Sequence, residues 1–253
     1  MDYEKLLNIS SDIGYSLLES GAEIYRVEES MHRIFEAYGA SGDVYAITNC
    51  IIATVCTEDG RSITKTRRLY SHNTNFDKVL QLNELCRHIC RDVPDFASVE
   101  EELERIRQRP VYGLTLQMAA YASAAFVLTL FFGGTFADAC CALVPGASIK
   151  LVIVKMSKFH TNSFFMYIVA SCLAAILAIL SVKLHLGVNS DKIIIGTFMS
   201  LVPGIAITYA IRDIIAGDLV AGLSKFTEAL FIGIALALGT GIAILATRMI
   251  WGA

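Results

Sequence analysis

Along the first forty residues, apolar positions recur at the three- to four-residue spacing of a helix with one buried face. Leu6, Leu7, Ile9, Ile13, Leu17 and Leu18 mark a first helix. A second is expected over about 22–38, in "GAEIYRVEESMHRIFEAYG", with Gly21 and Gly39 punctuating its ends. Ile24, Val27, Met31, Ile34 and Phe35 form its apolar stripe, and Glu23, Arg26, Glu28, Glu29 and Arg33 its other face. Glu23–Arg26 and Glu29–Arg33 have the i,i+3 and i,i+4 spacings at which side chains meet. That face reads either as solvated ion pairs or as a functional polar cluster, carried by Glu23, Arg26 and Glu28. The pattern then changes. "DVYAITN" and "IIATVCTED" are rich in β-branched and aromatic residues, Asp59-Gly60 is a hairpin signal, and "RSITKTRRL" alternates like a half-exposed strand. Helices are expected again over about 75–91 and 97–108, on either side of Pro94. Residues 1–110 thus read as a small α+β domain with a short antiparallel sheet.

From Val111 the apolar runs lengthen to the roughly 20 residues that cross a bilayer. Five spans are expected, at about 113–132, 136–155, 163–183, 192–212 and 226–247. The predicted fold class is an α-helical integral membrane protein with five transmembrane helices over 111–253, preceded by the α+β domain. Basic residues in the flanks set the orientation. Arg105, Arg107 and Arg109 precede the first span, Lys155, Lys158 and His160 separate the second from the third, and Arg212 and Lys225 separate the fourth from the fifth. The turn "FGGTFAD" has no basic residue; Lys183 and Lys192, around the next outer turn, weaken the bias without reversing it. The N-terminal domain is therefore expected in the cytoplasm and the C-terminus outside.

Two of these spans carry an unusual feature. "LVPG" occurs at 143–146 and again at 201–204, near the middle of the second and fourth spans. Proline lacks an N–H and clashes with the preceding turn, and glycine loosens the backbone. A break in hydrocarbon leaves backbone groups unpaired unless protein or water satisfies them, so broken helices tend to line cavities and transporter sites. Charge at membrane depth is expensive and usually functional, which singles out Asp138 and Lys150 in the second span. Arg212, Asp213, Asp218, Lys225 and Glu228 gather around the inner turn after span four. Snorkelling to headgroups accounts for the cations but poorly for the carboxylates. The expected substrate or ion pathway accordingly comprises Asp138, Pro145, Gly146, Lys150, Pro203, Gly204, Thr208, Arg212, Asp213, Asp218 and Glu228.

Composition agrees with a membrane assignment. Of 253 residues, 55% are hydrophobic, and the mean hydropathy of +0.55 is too high for an ordinary soluble domain. Residues 1–110 hold 13 Lys/Arg against 19 Asp/Glu, and the remainder 8 against 5, so the shift at Pro110 reads as a domain boundary. The acidic balance argues against a nucleic-acid partner. "MDYEKLLNISSDIGYSLLES" lacks the apolar core of a secretory signal. "CRHIC" (86–90) has the residues to hold a metal, but scattered cysteines in a reducing cytosol more often serve as buried thiols. No phosphate loop, nucleophile elbow or paired-histidine motif occurs, so neither an enzyme nor a cofactor is expected.

Two blocks of sequence carry a resemblance. "GAEIYRVEESMHRI" resembles the Gly-Ala-Glu, Arg-Val-Glu helix of the threonine/serine exporter family, and "LVPGIAITYAIRDIIAGDLVAGLSKFTEAL" resembles its Pro-Gly, Arg-Asp, Gly-Asp, Gly block. One departure is Tyr209, where asparagine and its polar contact to substrate are expected. The resemblance implies a secondary exporter in the bacterial inner membrane, moving a small amino acid or, as in some relatives, a dicarboxylate such as succinate. It further implies that this chain is the larger module of a split exporter, working with a second, smaller membrane subunit. Arg212 would then attract a carboxylate, and Asp213, Asp218 or Glu228 would relay a proton or meet an ammonium group. A membrane-anchored enzyme and a sensor acting through the N-terminal domain are the competing expectations.

Overall fold

The structure is a computed structural model that describes residues 1–70, 73–159 and 161–251; His160, counted above among the basic flanks, lies outside them. The chain separates into two compact units, Met1–Pro110 with Ile207–Phe226, and Val111–Ala206 with Thr227–Ala253. Residues 207–226 therefore group with the polar unit, although the sequence reading placed them in the hydrophobic stretch.

In the first unit, α1 (Tyr3–Glu19) and α2 (Ile24–Ala37) bury the stripes that their periodicity marks. Leu6, Ile13, Leu17, Ile24, Val27, Met31 and Ile34 are fully buried. Between the helices, Gly21 adopts φ +85°, a left-handed conformation that side chains resist. Its N–H donates to Leu18 O at 3.1 Å and that of Ala22 to Leu17 O at 3.0 Å, a Schellman ending that fixes where α2 begins. Strands β1 (Ser41–Ile47), β2 (Cys50–Cys56) and β3 (Ser62–Arg68) form an antiparallel sheet in the order β1-β2-β3. Ile51, Ala53 and Val55 turn into the core from the central strand, paired with Ala46, Val44 and Gly42 of β1. Helices α3 (Phe76–Asp92) and α4 (Phe96–Arg107) add Leu82, Leu85, Ile89, Val99 and Leu103 to the same core. Arg107 donates to Ser16 Oγ and Asp12 O, each at 3.1 Å, tying the end of α4 to α1.

The second unit contains α5 (Leu114–Phe131), α6 (Phe136–Ser157), α7 (Ser163–Lys183) and α8 (Ser190–Phe198). Helix α9 (Gly204–Ala216) begins in this unit and ends in the first, whereas α10 (Leu219–Trp251) begins in the first and ends here. Among the described residues, four helices are long and apolar enough to cross a membrane: α5, α6, α7 and α10. Their packing suits lipid. The buried positions are mostly small, among them Ala125, Thr129, Ala139, Ala142, Ala174, Ala178 and Ala243, while Val127, Phe131, Val144, Phe231 and Leu245 point outward.

Two expectations are corrected. Residues 192–212 do not form one continuous span. Helix α8 has nine residues, rising about 14 Å against a hydrocarbon thickness of about 30 Å, and the helix resumes at Gly204. Pro203, without an N–H, stands immediately before the new start, where a missing donor costs least. Pro145, by contrast, breaks nothing: α6 runs through it without interruption. Gly146 beside it is a packing site, because a Cβ there would approach Ala125 Cβ at 2.7 Å and Tyr121 O at 2.8 Å.

Candidate transport site

The start of α2 and the hairpin between α9 and α10, both in the first unit, bring a charged cluster together. Glu23 lies just before α2 in extended backbone (φ −68°, ψ 142°), and its side chain does not cap the helix. The residue is only 5% exposed, and its carboxylate lies close to the positive end of the helix dipole. Oε1 accepts from Arg212 Nη1. Oε2 lies 3.5 Å from Arg26 Nη2 and has no hydrogen-bond partner among the described residues. Arg212 also donates through Nη2 to Tyr25 Oη at 2.6 Å, and its guanidinium carbon sits 5.0 Å from the Tyr25 ring centre.

Asp213, the next residue, is fully buried. Its Oδ2 accepts from Lys225 Nζ at 2.8 Å, and its Oδ1 has no partner among the described residues. Lys225 Nζ also lies 5.9 Å from the Tyr209 ring centre. The glycines of this block set the geometry. Gly217, at φ +102°, turns the chain out of α9, and Asp218 N–H then donates to Asp213 O at 2.9 Å. At Gly222 a Cβ would lie 2.7 Å from Ala210 O, so only glycine lets α10 start this close to α9. Desolvating two charges costs several kcal/mol per ion before their attraction repays it. A buried carboxylate oxygen with no donor adds to that cost and calls for a reason.

The remaining candidates lie elsewhere. Glu28 accepts from Ala46 N–H at 2.7 Å, which ties α2 to β1. Burial pushes its carboxyl above the usual range; the Ala46 N–H opposes this and the Asp218 charge adds to it. Thr208 is exposed on α9, one turn before Arg212. In the second unit, Asp138 forms a reciprocal cap with Thr135 at the start of α6. Its Oδ1 also accepts from Val188 and Asn189 N–H at 2.6 and 2.9 Å, and its Oδ2 from Asn189 Nδ2 at 3.0 Å, so both oxygens are occupied in fastening two turns. Lys150 is half-buried with Nζ 5.3 Å from the Tyr121 ring centre. Glu228 lines a groove of about 480 Å³ with Asn162, Phe164 and Phe231. The structure therefore joins Glu23 and Arg26 to Arg212, and Asp213 to Lys225 and Asp218, whereas Asp138, Pro145 and Lys150 belong to the second unit.

In "CRHIC", burial pushes the Cys86 thiol up to about 12, and His88 Nδ1 lies 3.1 Å from Glu102 Oε2. Among the described residues no group of three or more His, Cys, Asp or Glu is placed to hold a metal. Two participants escaped the sequence reading. Tyr25 was signalled only by its position between Glu23 and Arg26. Ser200, at the α8–α9 break, has a buried Oγ with no partner among the described residues, and its signal was a hydroxyl next to a Pro-Gly pair in an apolar run.

Known proteins bear on nearly the whole chain. The profile of the threonine/serine exporter family, ThrE, matches residues 8–246. A "Probable threonine/serine exporter" of Mycobacterium tuberculosis is 21% identical over 238 residues, covering 93% of this chain and 45% of that protein. The chain thus spans less than half the length of that relative. Two proteins called "Probable succinate transporter subunit YjjP", from Escherichia coli and Klebsiella aerogenes, are 22% and 25% identical, covering 94% and 93% of this chain and 92% and 90% of theirs. No solved structure matches. With the profile spanning nearly all of its length, the chain belongs to the threonine/serine exporter family.

Proposed function

We propose that the chain is one subunit of a secondary exporter that carries small amino acids of the threonine/serine type across the bacterial inner membrane. The observation that carries this reading is the break between α8 and α9, where the Ser200 hydroxyl, three residues before Pro203, is buried without a partner among the described residues. An anchor helix needs no such break, whereas a solute pathway uses the polar groups that it frees. The charged cluster supports the same reading. Arg212 offers a planar fork to a substrate carboxylate in exchange for Glu23, and the unpaired Asp213 Oδ1 offers an acceptor to an ammonium group or a proton. Thr208 and Asp218 belong to the same unit as that cluster, and Glu228 and Lys150, in the second unit, are further candidates for the pathway.

The names of the relatives support two finer points. Two relatives of nearly the same length are called subunits, which favours a second membrane component alongside this chain. The same names favour an alternative solute, a dicarboxylate, for which Arg212 serves equally well but Asp213 Oδ1 has no ammonium to meet.

The way the chain returns supports an orientation. Ile207–Phe226 are back in the unit of Met1–Pro110 before α10 crosses once more. With that unit on the cytoplasmic side, as the flanking arginines favour, the far end of α10 is external. The test is efflux of labelled threonine and labelled succinate from liposomes that hold the purified chain, with and without the candidate partner subunit. The proposal expects threonine efflux that requires the chain. Efflux of succinate alone selects the alternative, and no efflux of either with both subunits present removes the transport reading.

A further inference from the structure

In the second unit, α7 ends, α8 begins and α10 ends around a groove of about 360 Å³. Lys183 lines it from the last turn of α7, Arg248 from the last turn of α10, and Ser190 and Asp191 from the first turn of α8. Among the described residues, neither cation has an ion-pair partner, and neither does Asp191. The exposed arginines of the first unit behave differently: Arg33, Arg87 and Arg105 lie 2.6, 2.6 and 2.9 Å from Glu29, Glu84 and Glu101. The start of α8 is also uncapped. Asn189 precedes it, but its side chain donates to Asp138 and makes no capping bond. Isoleucines 179, 194 and 244 form the apolar part of the wall.

Each feature selects one part of a ligand. Two unpaired cations and an uncapped helix start favour a phosphate. A lone carboxylate beside them favours a positive group, and the isoleucines favour hydrocarbon. A free phosphate ion would leave Asp191 and the isoleucines without a role, and an anionic lipid would set its charge against Asp191. We propose that this groove binds a phospholipid with an ammonium-bearing headgroup, its phosphate held by Lys183, Arg248 and the α8 amides and its ammonium by Asp191. The inference rests on the second unit lying in a membrane and does not depend on which solute is exported.

The test is native mass spectrometry of the full chain in detergent, titrated with phosphatidylethanolamine, phosphatidylglycerol and the soluble headgroup glycerophosphoethanolamine. The wild-type chain is expected to retain phosphatidylethanolamine most strongly. Lys183→Gln combined with Arg248→Gln is expected to weaken retention about 30-fold, from two cations each contributing the usual interfacial attraction. Asp191→Asn should erase the preference for phosphatidylethanolamine over phosphatidylglycerol, and because it removes no cation it carries the test by itself if the double variant fails to fold. Equal retention by wild type and double variant, or an undiminished lipid preference in Asp191→Asn, would overturn the proposal. Binding of the soluble headgroup as tightly as the lipid would also overturn it, in favour of a free-solute site.

Discussion

Arg212 and Glu23 are 189 positions apart, and their pairing is the part of the site that the sequence could not reveal. Helical spacing exposes neighbours three or four residues away, so Glu23–Arg26 was legible, as was the run of charges from Arg212 to Glu228. Nothing in a single chain's periodicity reports that one group closes on the other. Glu28 shows how local chemistry then separates residues that look alike. It shares a helix face with Glu23, yet its carboxylate binds the Ala46 N–H rather than an arginine. Because burial raises its pKa, the folded protein takes up this proton before the unfolded chain does as pH falls. The linked stability is full below the unfolded-state pKa and is lost as pH rises through the folded-state value. Glu28→Gln keeps the acceptor for Ala46 N–H and removes the charge. Its melting temperature should exceed that of wild type at about pH 8 and converge on it towards about pH 4, where an ordinary glutamate is largely protonated. A difference that grows on acidification would contradict the assignment.

At the scale of elements, two identical tetrapeptides do different things. Hydropathy averages over a window, so it registered both Leu-Val-Pro-Gly stretches as span interiors and could not tell a break from a packed proline. The neighbours decide. At Gly146 the facing backbone of α5 leaves no room for a side chain, and a backbone cannot rotate away. At Gly204 a Cβ would meet no atom within 4 Å. Gly146→Leu is therefore expected to force α5 and α6 apart, costing about 1–3 kcal/mol and lowering the melting temperature in detergent. Gly204→Ala, placed in the first turn of α9, should leave that temperature nearly unchanged. The opposite ranking would mean that the two glycines have been assigned the wrong roles. The elements of the first unit were easier to read, because Ile24, Val27, Met31, Ile34 and Phe35 recur on one face and all five are buried as that period demands.

At the scale of the molecule, the composition shift at Pro110 marked where the first apolar helix follows the polar unit, but it could not show that Ile207–Phe226 return to that unit. That return underlies the proposed orientation. A reporter active only in the cytoplasm should be silent when fused after Ala253 and active when fused before Met1; full activity at both ends would contradict an odd number of crossings. On the proposed function, the cluster around Arg212 handles substrate rather than merely holding a helix at the headgroups. Arg212→Lys keeps the charge and the reach of a headgroup anchor but loses the planar fork, and Asp213→Asn keeps the shape but loses the charge. The measurement is the export rate of each variant, normalised to the amount of protein in the membrane and taken at limiting substrate. A desolvated charged contact contributes a few kcal/mol, so each substitution is predicted to lower the rate more than about tenfold while insertion is unchanged. Near wild-type export by both variants would show that Arg212 and Asp213 do not handle substrate.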